Sequence, residues 1–435
     1  MLEGLSNISK IPELQKRILF TFLLLIVYRI GAHVPTPGID AMALAAFFEQ
    51  AKGSLLGLFD MFAGGALSNL SVFALGIMPY ISASIILQLL TIAVPHLEKL
   101  SKEGEAGRRK ITQYTRYGTV LLSVIQGFGI AIGLENMAGP TGAPIVIEGG
   151  WAFRLMTMIT LTAGTAFIMW LGEQITEKGI GNGISLIIFA GIVCGAPAAI
   201  INTFRLMMTG EMGIFFIIFL SIVMVAVVGV IVFVESGQRR IPVQYAKRVV
   251  GRKVYGGQST HLPLKVNTAG VIPPIFASSI IMFPATIANF IPHPWMKFIA
   301  DALMPGKVGY ELLYVAFIVF FCYFYTAVTF NPVDVADNMK KYGGYVPGIR
   351  PGKKTADYID DVLTKLTFSG AIYVSAVCVL PSILISYFNV PFYFGGTALL
   401  IVVGVALDTA GQIETHLLTR QYEGFMKKGH LARRR

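Results

Sequence analysis

Long runs of apolar residues dominate the hydropathy pattern of the chain. A helix needs roughly 20 apolar residues to cross a hydrocarbon layer about 30 Å thick, so runs of this length predict membrane-spanning helices. Backbone polar groups find no water at that depth, and each run is therefore expected to be helical. Ten segments meet or nearly meet the requirement: Ile18–Val34, Leu70–Val94, Tyr117–Leu134, Phe153–Leu171, Ile184–Ile201, Met212–Val234, Val271–Ile291, Leu312–Phe330, Leu366–Phe388 and Phe392–Ile413.

Lysine and arginine residues are unevenly distributed between the segments that join these spans. Of the 35 such residues, 29 fall in the N-terminal segment, the C-terminal tail and the alternate loops 95–116, 172–183, 235–270 and 331–365. The opposite loops hold only four of them. By the positive-inside rule, the side with 29 positive charges is cytoplasmic, and both termini are expected there. The net charge of +11 therefore reflects membrane topology first and a binding partner second.

The overall composition favours a lipid environment and a protein without chemistry of its own. Hydrophobic residues make up 54% of the chain and charged residues 14%, whereas soluble globular chains carry about 25% charged residues. The three cysteines lie in apolar runs without CxxC spacing, which indicates neither disulfides nor a zinc site. The sequence contains no Walker, HExxH or GxSxG motif, and the span centres are nearly free of charge. We therefore expect a passive conduit or scaffold with no catalytic residue, metal or cofactor.

The number of predicted spans suggests an internal division. The short outer loop near 205–211 separates an N-terminal half, residues 1–205, from a C-terminal half, residues 206–435, and each half has five spans. Because five is odd, the second half must cross the membrane in the opposite sense. Two similar halves would form an inverted repeat with a functional site at their interface. No clear sequence repeat accompanies the division, which rests on the number of spans alone.

Three features near the ends of the spans allow more than one interpretation. Arg29 lies towards the outer end of the first span, where interfacial snorkelling or a local helix pair is the favoured interpretation. Residues 54–66 are apolar but only about 20 Å long as a helix, so they are expected to lie at the interface or to re-enter the bundle. Residues 179–183 contain three glycines, which either relax the backbone where the fifth span begins or form a tight loop.

Two loops on the predicted cytoplasmic side are long and basic. Loop 236–268 is predicted to form a hairpin, with strands Ile241–Tyr245 and Val254–Gln258 around a tip that carries Arg248 and Arg252. Loop 341–352 is dense in glycine and proline, so it is expected to form a stiff turn that presents Arg350. Shaped basic loops favour docking of RNA or an acidic protein, although a flexible basic linker would satisfy the charge rule equally well.

Six blocks of sequence together resemble the SecY family of protein-conducting channels. They occur in the family's order and at similar spacing, so the match runs essentially from end to end. Several such blocks are much stronger evidence than one short motif. The blocks are FALGIMPYISASIILQLL (73–90), EGEAGRRKITQYTRYGT (103–119), MWLGEQITEKGIGNGIS (169–185), QSTHLPLKVNTAGVIPPIFASSII (258–281), YVPGIRPG (345–352) and VPFYFGGTALLIVV (390–403).

The resemblance implies an all-α integral membrane fold, with ten transmembrane helices in two inverted five-helix halves around an hourglass pore. The waist of that pore would be a ring of isoleucines, whose stiff apolar side chains would form a dewetted gasket against ions. Two pairs in the ring have i,i+4 spacing, so each pair shares one helix face. Without the resemblance, such pairs would indicate packing or lipid-facing residues. The ring positions are Ile77, Ile81, Ile184, Ile188, Ile275 and Ile401.

The same resemblance assigns a plug helix and a lateral gate. Segment 54–66 would fill the outer vestibule of the idle channel. The second, third, seventh and eighth spans would form a gate towards lipid, with Gln126 and Asn267 as polar contacts that hold it shut. The plug residues are Leu58, Phe59, Asp60, Met61, Phe62, Gly64 and Gly65.

The partners implied by the resemblance are SecE, SecG, the SecA motor ATPase, the ribosome and membrane lipids. Arg248, Arg252 and Arg350 match the loop positions that contact the ribosome or SecA. The clients would be unfolded secretory and membrane proteins, delivered across or sideways into a bacterial plasma membrane. The channel would not be an enzyme; SecA, translation or the membrane potential would supply the energy.

Two other functions also fit the number of spans. A small-molecule secondary transporter would need a polar site at the membrane midplane, and the spans show none in the sequence. A membrane scaffold without a conduit would tolerate charged substitutions at Ile81 or Ile275.

Overall fold

Helices make up most of the described part of the chain. This computed structural model describes residues 11–50, 57, 60, 63–135, 144–209, 213–245, 248–250, 253–255, 259–290, 302, 307–388 and 396–432. The helices are α1 (Pro12–Gly31), α2 (Ala41–Gln50), α3 (Met78–Ala93), α4 (Pro95–Lys102), α5 (Glu105–Glu135), α6 (Trp151–Lys178), α7 (Gly183–Met208), α8 (Ile214–Glu235), α9 (Ile272–Phe290), α10 (Val308–Thr329), α11 (Pro332–Lys341), α12 (Lys353–Phe388) and α13 (Gly396–Ala432). The strands are β1 (Gln238–Tyr245), β2 (Arg248–Val250), β3 (Lys253–Tyr255), β4 (Ser259–Lys265) and β5 (Gly344–Tyr345).

The described helices confirm a multi-pass membrane protein. Seven of them are long and apolar enough to cross a membrane, where α10 and α11 count together. The number rises to eight if α3 and α4 form one broken span, since the two are bent by 100°. The bend follows from Pro95 at the start of α4, because Val94 before it is extended, as residues preceding proline tend to be. The count of ten spans stays a prediction.

The second predicted span differs from the prediction at its outer end. The run Leu70–Val94 is predicted to be helical throughout, but α3 begins only at Met78 and is 16 residues long. The apolar residues before it form turns, with Gly76 at φ +55° and Leu70 at φ +33°. The carbonyl of Leu70 accepts from the backbone N–H of Thr36 at 2.9 Å instead of from a helical turn. The apolar run marks a buried segment, and burial alone does not require a helix.

Three helices extend well beyond their predicted spans on the side that charge predicts to be cytoplasmic. α5 begins well before Tyr117, α12 begins well before Leu366, and α13 continues past Ile413. Hydropathy detects only the part of a helix that would lie in lipid, whereas helical hydrogen bonding continues into polar sequence. The tail and much of loop 331–365 are therefore helical.

The first of two compact units consists of Met1–Leu206, Ser279–Lys307 and Ile401–Arg435. Within it α5 packs along α6 and α3, and α1 packs on α6. An apolar cluster joins α2, the turns before α3 and one end of α5 and α6. Its most buried members include Leu44, Leu70, Ala74, Ala131, Ile145 and Leu161.

The second unit consists of Met207–Ser278 and Val308–Leu400. Its three-stranded sheet has the order β4-β1-β5, and both pairings are antiparallel. The apolar face of this sheet packs on α11 and on the first turns of α12, while α10 packs along α12. The buried residues of this cluster include Ile241, Val243, Leu264, Met339, Ile359 and Leu363.

The hairpin predicted in loop 236–268 has a different pairing in the structure. The predicted strand Ile241–Tyr245 is confirmed as part of β1, but its partner is β4, with Ile241 opposite Leu262. The predicted pairing with Val254–Gln258 is wrong, because β3 pairs with β2 in a separate two-stranded sheet. Pro263 lowers the strand propensity of β4, which explains why the sequence pattern does not indicate this strand.

Candidate functional site

Four of the six predicted ring isoleucines are buried. Ile77 and Ile81 lie at the start of α3, and the N–H of Ile81 donates to the carbonyl of Ile77 at 3.1 Å, which puts both on one face of the first turn. The exposed fractions of Ile77, Ile81, Ile188 and Ile401 are 4%, 7%, 4% and 1%. A lipid-facing position is thereby excluded for these four. Ile184 in α7 and Ile275 in α9 are half-buried, and the ring itself stays a prediction.

The glycine turn 179–183 agrees with both interpretations of the sequence, since it is a tight loop and it leads directly into α7. Its backbone N–H groups donate to side chains of three different helices: Ile180 to Thr21 Oγ1 of α1 (3.1 Å), Gly181 to Gln412 Oε1 of α13 (2.9 Å) and Gly183 to Thr176 Oγ1 of α6 (2.9 Å). The turn therefore connects the start of α7 to α1, α6 and α13.

Backbone conformation explains why position 181 is glycine, and packing explains why position 183 is glycine. Gly181 adopts φ +85°, which disfavours residues with a side chain. A Cβ atom on Gly183 would overlap the carbonyl oxygen of Gly172 in α6. Asn182 then begins α7 by accepting the N–H of Ile184 at 3.1 Å, as an N-cap residue does. The turn thus determines where α7, with Ile184 and Ile188, begins.

The C-terminal end of the predicted plug segment is bound to α1 by two side chains. Tyr28, which is 2% exposed, donates from its hydroxyl to the carbonyl of Ala63 at 3.2 Å. Arg29 donates from Nη1 to the carbonyl of Gly64 at 2.6 Å. The sequence indicates Arg29 as an interfacial charge or as part of a local helix pair, and it gives no sign of Tyr28. The partner of Tyr28 is a backbone carbonyl 35 residues away, which no side-chain pattern encodes.

Asp60, a predicted plug residue, closes the turn that follows it. Its Oδ1 accepts the backbone N–H groups of Leu67 (3.0 Å) and Ser68 (2.8 Å), and its carbonyl accepts the N–H of Gly65 at 2.8 Å. Gly64 and Gly65 have φ +68° and +79°, so the chain turns here in a conformation that glycine adopts readily. The remaining predicted plug residues lie outside the described residues: Leu58, Phe59, Met61 and Phe62.

The two residues predicted for the lateral gate lie in different units. In the first unit, Gln126 of α5 has a buried Oε1 that meets no hydrogen-bond partner among the described residues. In the second unit, Asn267 is buried, and its Nδ2 donates to Glu235 Oε1 at 2.7 Å and to the carbonyl of Gly270 at 3.0 Å. Glu235, the last residue of α8, is not recognisable in the sequence as a partner of Asn267. The role of Gln126 and Asn267 as gate contacts stays a prediction.

The predicted docking loops are partly described. Arg350 is exposed in a turn flanked by Gly348 and Gly352, both with positive φ. Thr355 Oγ1 donates to the Arg350 carbonyl at 3.0 Å and so connects this turn to α12. The turn predicted for this loop is therefore present, and its stiffness stays a prediction. Arg248 is the first residue of β2, and Arg252 lies outside the described residues.

Comparison with known sequences identifies one family over most of the chain. The SecY family model matches residues 71–410. A relative from Escherichia coli (strain K12), named "Protein translocase subunit SecY", is 55% identical over 423 residues, which cover 96% of this chain and 95% of that protein. A relative of the same name from Pseudomonas aeruginosa is 54% identical over 434 residues and covers 99% of this chain and 97% of its own length.

Solved structures share the fold at low sequence identity. "The structure of a protein conducting channel" matches with a TM-score of 0.67 at 17% identity, over 94% of this chain and 96% of that one. A structure concerned with the plug domain of the SecY protein matches with a TM-score of 0.66 at 18% identity and the same coverage. Sec61 from a canine ribosome–channel complex matches with a TM-score of 0.62 at 16% identity, again with that coverage. At these identities the likeness concerns the fold.

Proposed function

The chain belongs to the SecY family, and on that premise we propose that it forms a protein-conducting channel. It passes unfolded secretory proteins across a bacterial plasma membrane and releases membrane segments sideways into lipid. The observation that carries this proposal is the 55% identity to a relative named as a protein translocase subunit, over 95% of that relative's length. The relative and this chain match along nearly their whole lengths, so the proposal concerns the whole protein rather than one domain.

The path of the polypeptide runs through the isoleucine ring. Apolar, β-branched side chains form a constriction from which water and ions are excluded. They make no directed hydrogen bonds, so they do not select one client side chain over another. The burial of Ile77, Ile81, Ile188 and Ile401 supports this role. Segment 54–66 is the plug of the idle channel, in keeping with the solved structure that describes a plug domain stabilising the closed state of a translocation channel.

The lateral gate lets apolar segments leave the channel towards lipid. Gln126 and Asn267 lie on its two sides, and each carries an amide that is buried at least in part. A signal sequence or membrane segment that enters the open gate gains about 25 cal/mol for each Å² of apolar surface removed from water. Two neutral amides are suited to this gate because contacts between them are weak enough to break when such a segment arrives.

The energy for transport comes from partners on the cytoplasmic side. SecA or the ribosome docks on the basic loops, where Arg248, Arg252 and Arg350 bind acidic or phosphate groups. A similar fold is known from a ribosome–channel complex. SecE clamps the two five-helix halves, SecG joins them, and both termini lie in the cytoplasm. The channel itself remains a passive pore.

A photo-crosslinking experiment tests the proposed path. A photoreactive amino acid is placed at Ile81 and, separately, at Ile275, and a secretory chain is stalled half-way through export. We expect adducts between each position and the middle section of the stalled chain. The same group at Phe22, an exposed residue on α1, is the control and should react mainly with lipid. Export that is demonstrably engaged without adducts at either isoleucine would contradict the proposed path.

A further inference from the structure

We propose that Tyr28 and Arg29 form a latch that holds the Ala63–Gly64 segment in place and thereby keeps the idle channel sealed. The inference rests on the proposed function, since it identifies what holds the plug end of a protein-conducting channel. The donors and the acceptors of the latch all belong to this chain. Both donors come from the last turn of α1, and both acceptors are consecutive backbone carbonyls.

The two acceptor carbonyls lie where the chain leaves helical geometry. Gly64 has φ +68° and is followed by Gly65 at φ +79°, so the chain turns away instead of continuing the helical geometry of Asp60. Among the described residues, the backbone bond to the Ala63 carbonyl is a long one within the turn, from the N–H of Ala66 at 3.4 Å. Buried carbonyls that leave helical bonding need other donors. Tyr28 and Arg29 supply them, and the guanidinium makes the stronger bond because it is charged.

The latched segment also packs against α7, the helix that carries two predicted ring residues. A Cβ on Gly64 would lie 2.9 Å from the Cα of Gly191 and 3.2 Å from the Tyr28 hydroxyl. The backbone at Gly64 can approach α7 this closely because Gly64 has no side chain. The segment therefore lies between α1 and α7, directly beside the helix of Ile184 and Ile188.

The far side of the segment is fixed independently of the latch. Asp60 accepts two backbone N–H groups from the turn at Leu67 and Ser68, and Thr36 Oγ1 donates to the carbonyl of Leu70 at 2.8 Å. These bonds hold the turns before α3. The bonds from Tyr28 and Arg29 are different, because they connect the Ala63–Gly64 carbonyls to side chains of α1. Their loss frees the segment without unfolding the turns.

Two measurements on the full chain in membrane vesicles test the latch. The first is the rate at which a membrane-impermeant maleimide, added from the outer side, labels Ala63→Cys in a chain whose three native cysteines are replaced. Ala63 is buried, so labelling reports release of the segment. The second is ion flux through the idle channel. Both are compared between the parent chain, Arg29→Leu, Tyr28→Phe and the double variant.

We expect Arg29→Leu to raise the labelling rate about tenfold, because it removes a charge-assisted hydrogen bond. Tyr28→Phe should raise it by a smaller factor, since it removes one neutral hydroxyl and keeps the ring stacked on Phe73. Arg29→Gln retains an N–H donor and should restore part of the protection. Arg205→Leu, which changes an exposed arginine of α7, should leave labelling and ion flux unchanged.

The outcomes separate the latch from the proposed function. Increased labelling together with increased ion flux in Arg29→Leu supports the proposal. Unchanged labelling in both Tyr28→Phe and Arg29→Leu overturns it, whatever the flux. Increased labelling with unchanged flux also overturns it, because the segment is then released without loss of the seal. Failure of the proposed function is seen elsewhere, as an absence of adducts from Ile81 and Ile275 in the parent chain.

Discussion

Ile187 and Ile188 are neighbours on α7 with almost the same burial, at 2% and 4% exposed. They point about 100° apart around the helix, and only Ile188 belongs to the predicted ring. This pair separates the effect of a polar group at the pore from the effect of a polar group in the protein interior. A buried amide without a partner costs roughly 1–3 kcal/mol of stability at either position.

Ile188→Asn is expected to make the idle channel leak ions, whereas Ile187→Asn is not. An amide at the waist holds water in a constriction that apolar side chains keep dry. The measurement is single-channel or vesicle ion flux without a secretory client, together with the amount of each variant in the membrane. Equal flux from the two variants at equal abundance would contradict the position of Ile188 in the ring.

At the residue scale, sequence patterns identify the isoleucine pairs but not the polar residues that hold the structure around them. The i,i+4 spacing of Ile77 and Ile81 is a local property, and the structure buries both. The ring membership of all six isoleucines comes only from family resemblance. Tyr28 and Glu235 escape sequence patterns because their partners, a backbone carbonyl and a distant amide, depend on the folded chain.

At the scale of elements, the glycine turn before α7 gives the sharpest test of packing. A Cβ on Gly183 would meet the carbonyl oxygen of Gly172, so Gly183→Ala must push α7 away from α6. Overpacking of this kind costs about 1–3 kcal/mol. Gly195 lies in the same helix. A Cβ atom there would meet no atom of the described residues within 4 Å, apart from its chain neighbours and the nearby helix backbone. Gly195→Ala should therefore be neutral or stabilise by up to about 1 kcal/mol.

Thermal unfolding in detergent checks this pair of variants. Gly183→Ala should lower the melting temperature, and Gly195→Ala should leave it unchanged or raise it slightly. A displaced start of α7 also moves Ile184 and Ile188, so Gly183→Ala should increase idle ion flux as well. Equal melting temperatures for the two variants would show that α7 adjusts its position without cost.

Elements are predictable from the sequence where a long apolar run marks a spanning helix. They are unpredictable where a strand forms only because it pairs with a distant strand. The apolar runs locate α5, α6, α7, α8, α10, α12 and α13, because lipid exposure demands apolar residues on every face of a spanning helix. Hydropathy fails at Leu70, where an apolar segment is buried in turns. It also fails to find β4, whose pairing with β1 depends on a partner more than ten residues away.

At the scale of the whole molecule, the distribution of charge predicts which side of each span faces the cytoplasm. On this prediction, the 29 lysine and arginine residues assigned to one side act together during insertion, whereas the four assigned to the other side offer little opposition. Two exposed residues report the two sides. Thr260, in β4, lies in a loop of the charge-rich side, and Ile147, which precedes α6, lies in a loop of the opposite side.

Cysteines at these two positions, in a chain without the native cysteines, test the predicted topology. A membrane-impermeant maleimide added to spheroplasts should label Ile147→Cys and leave Thr260→Cys unlabelled. After the cells are lysed, both should react, which shows that Thr260→Cys is accessible from the cytoplasmic side. Labelling of Thr260→Cys from outside would show that the predicted topology is inverted. The basic loops with Arg350 would then lie where neither SecA nor a ribosome reaches them.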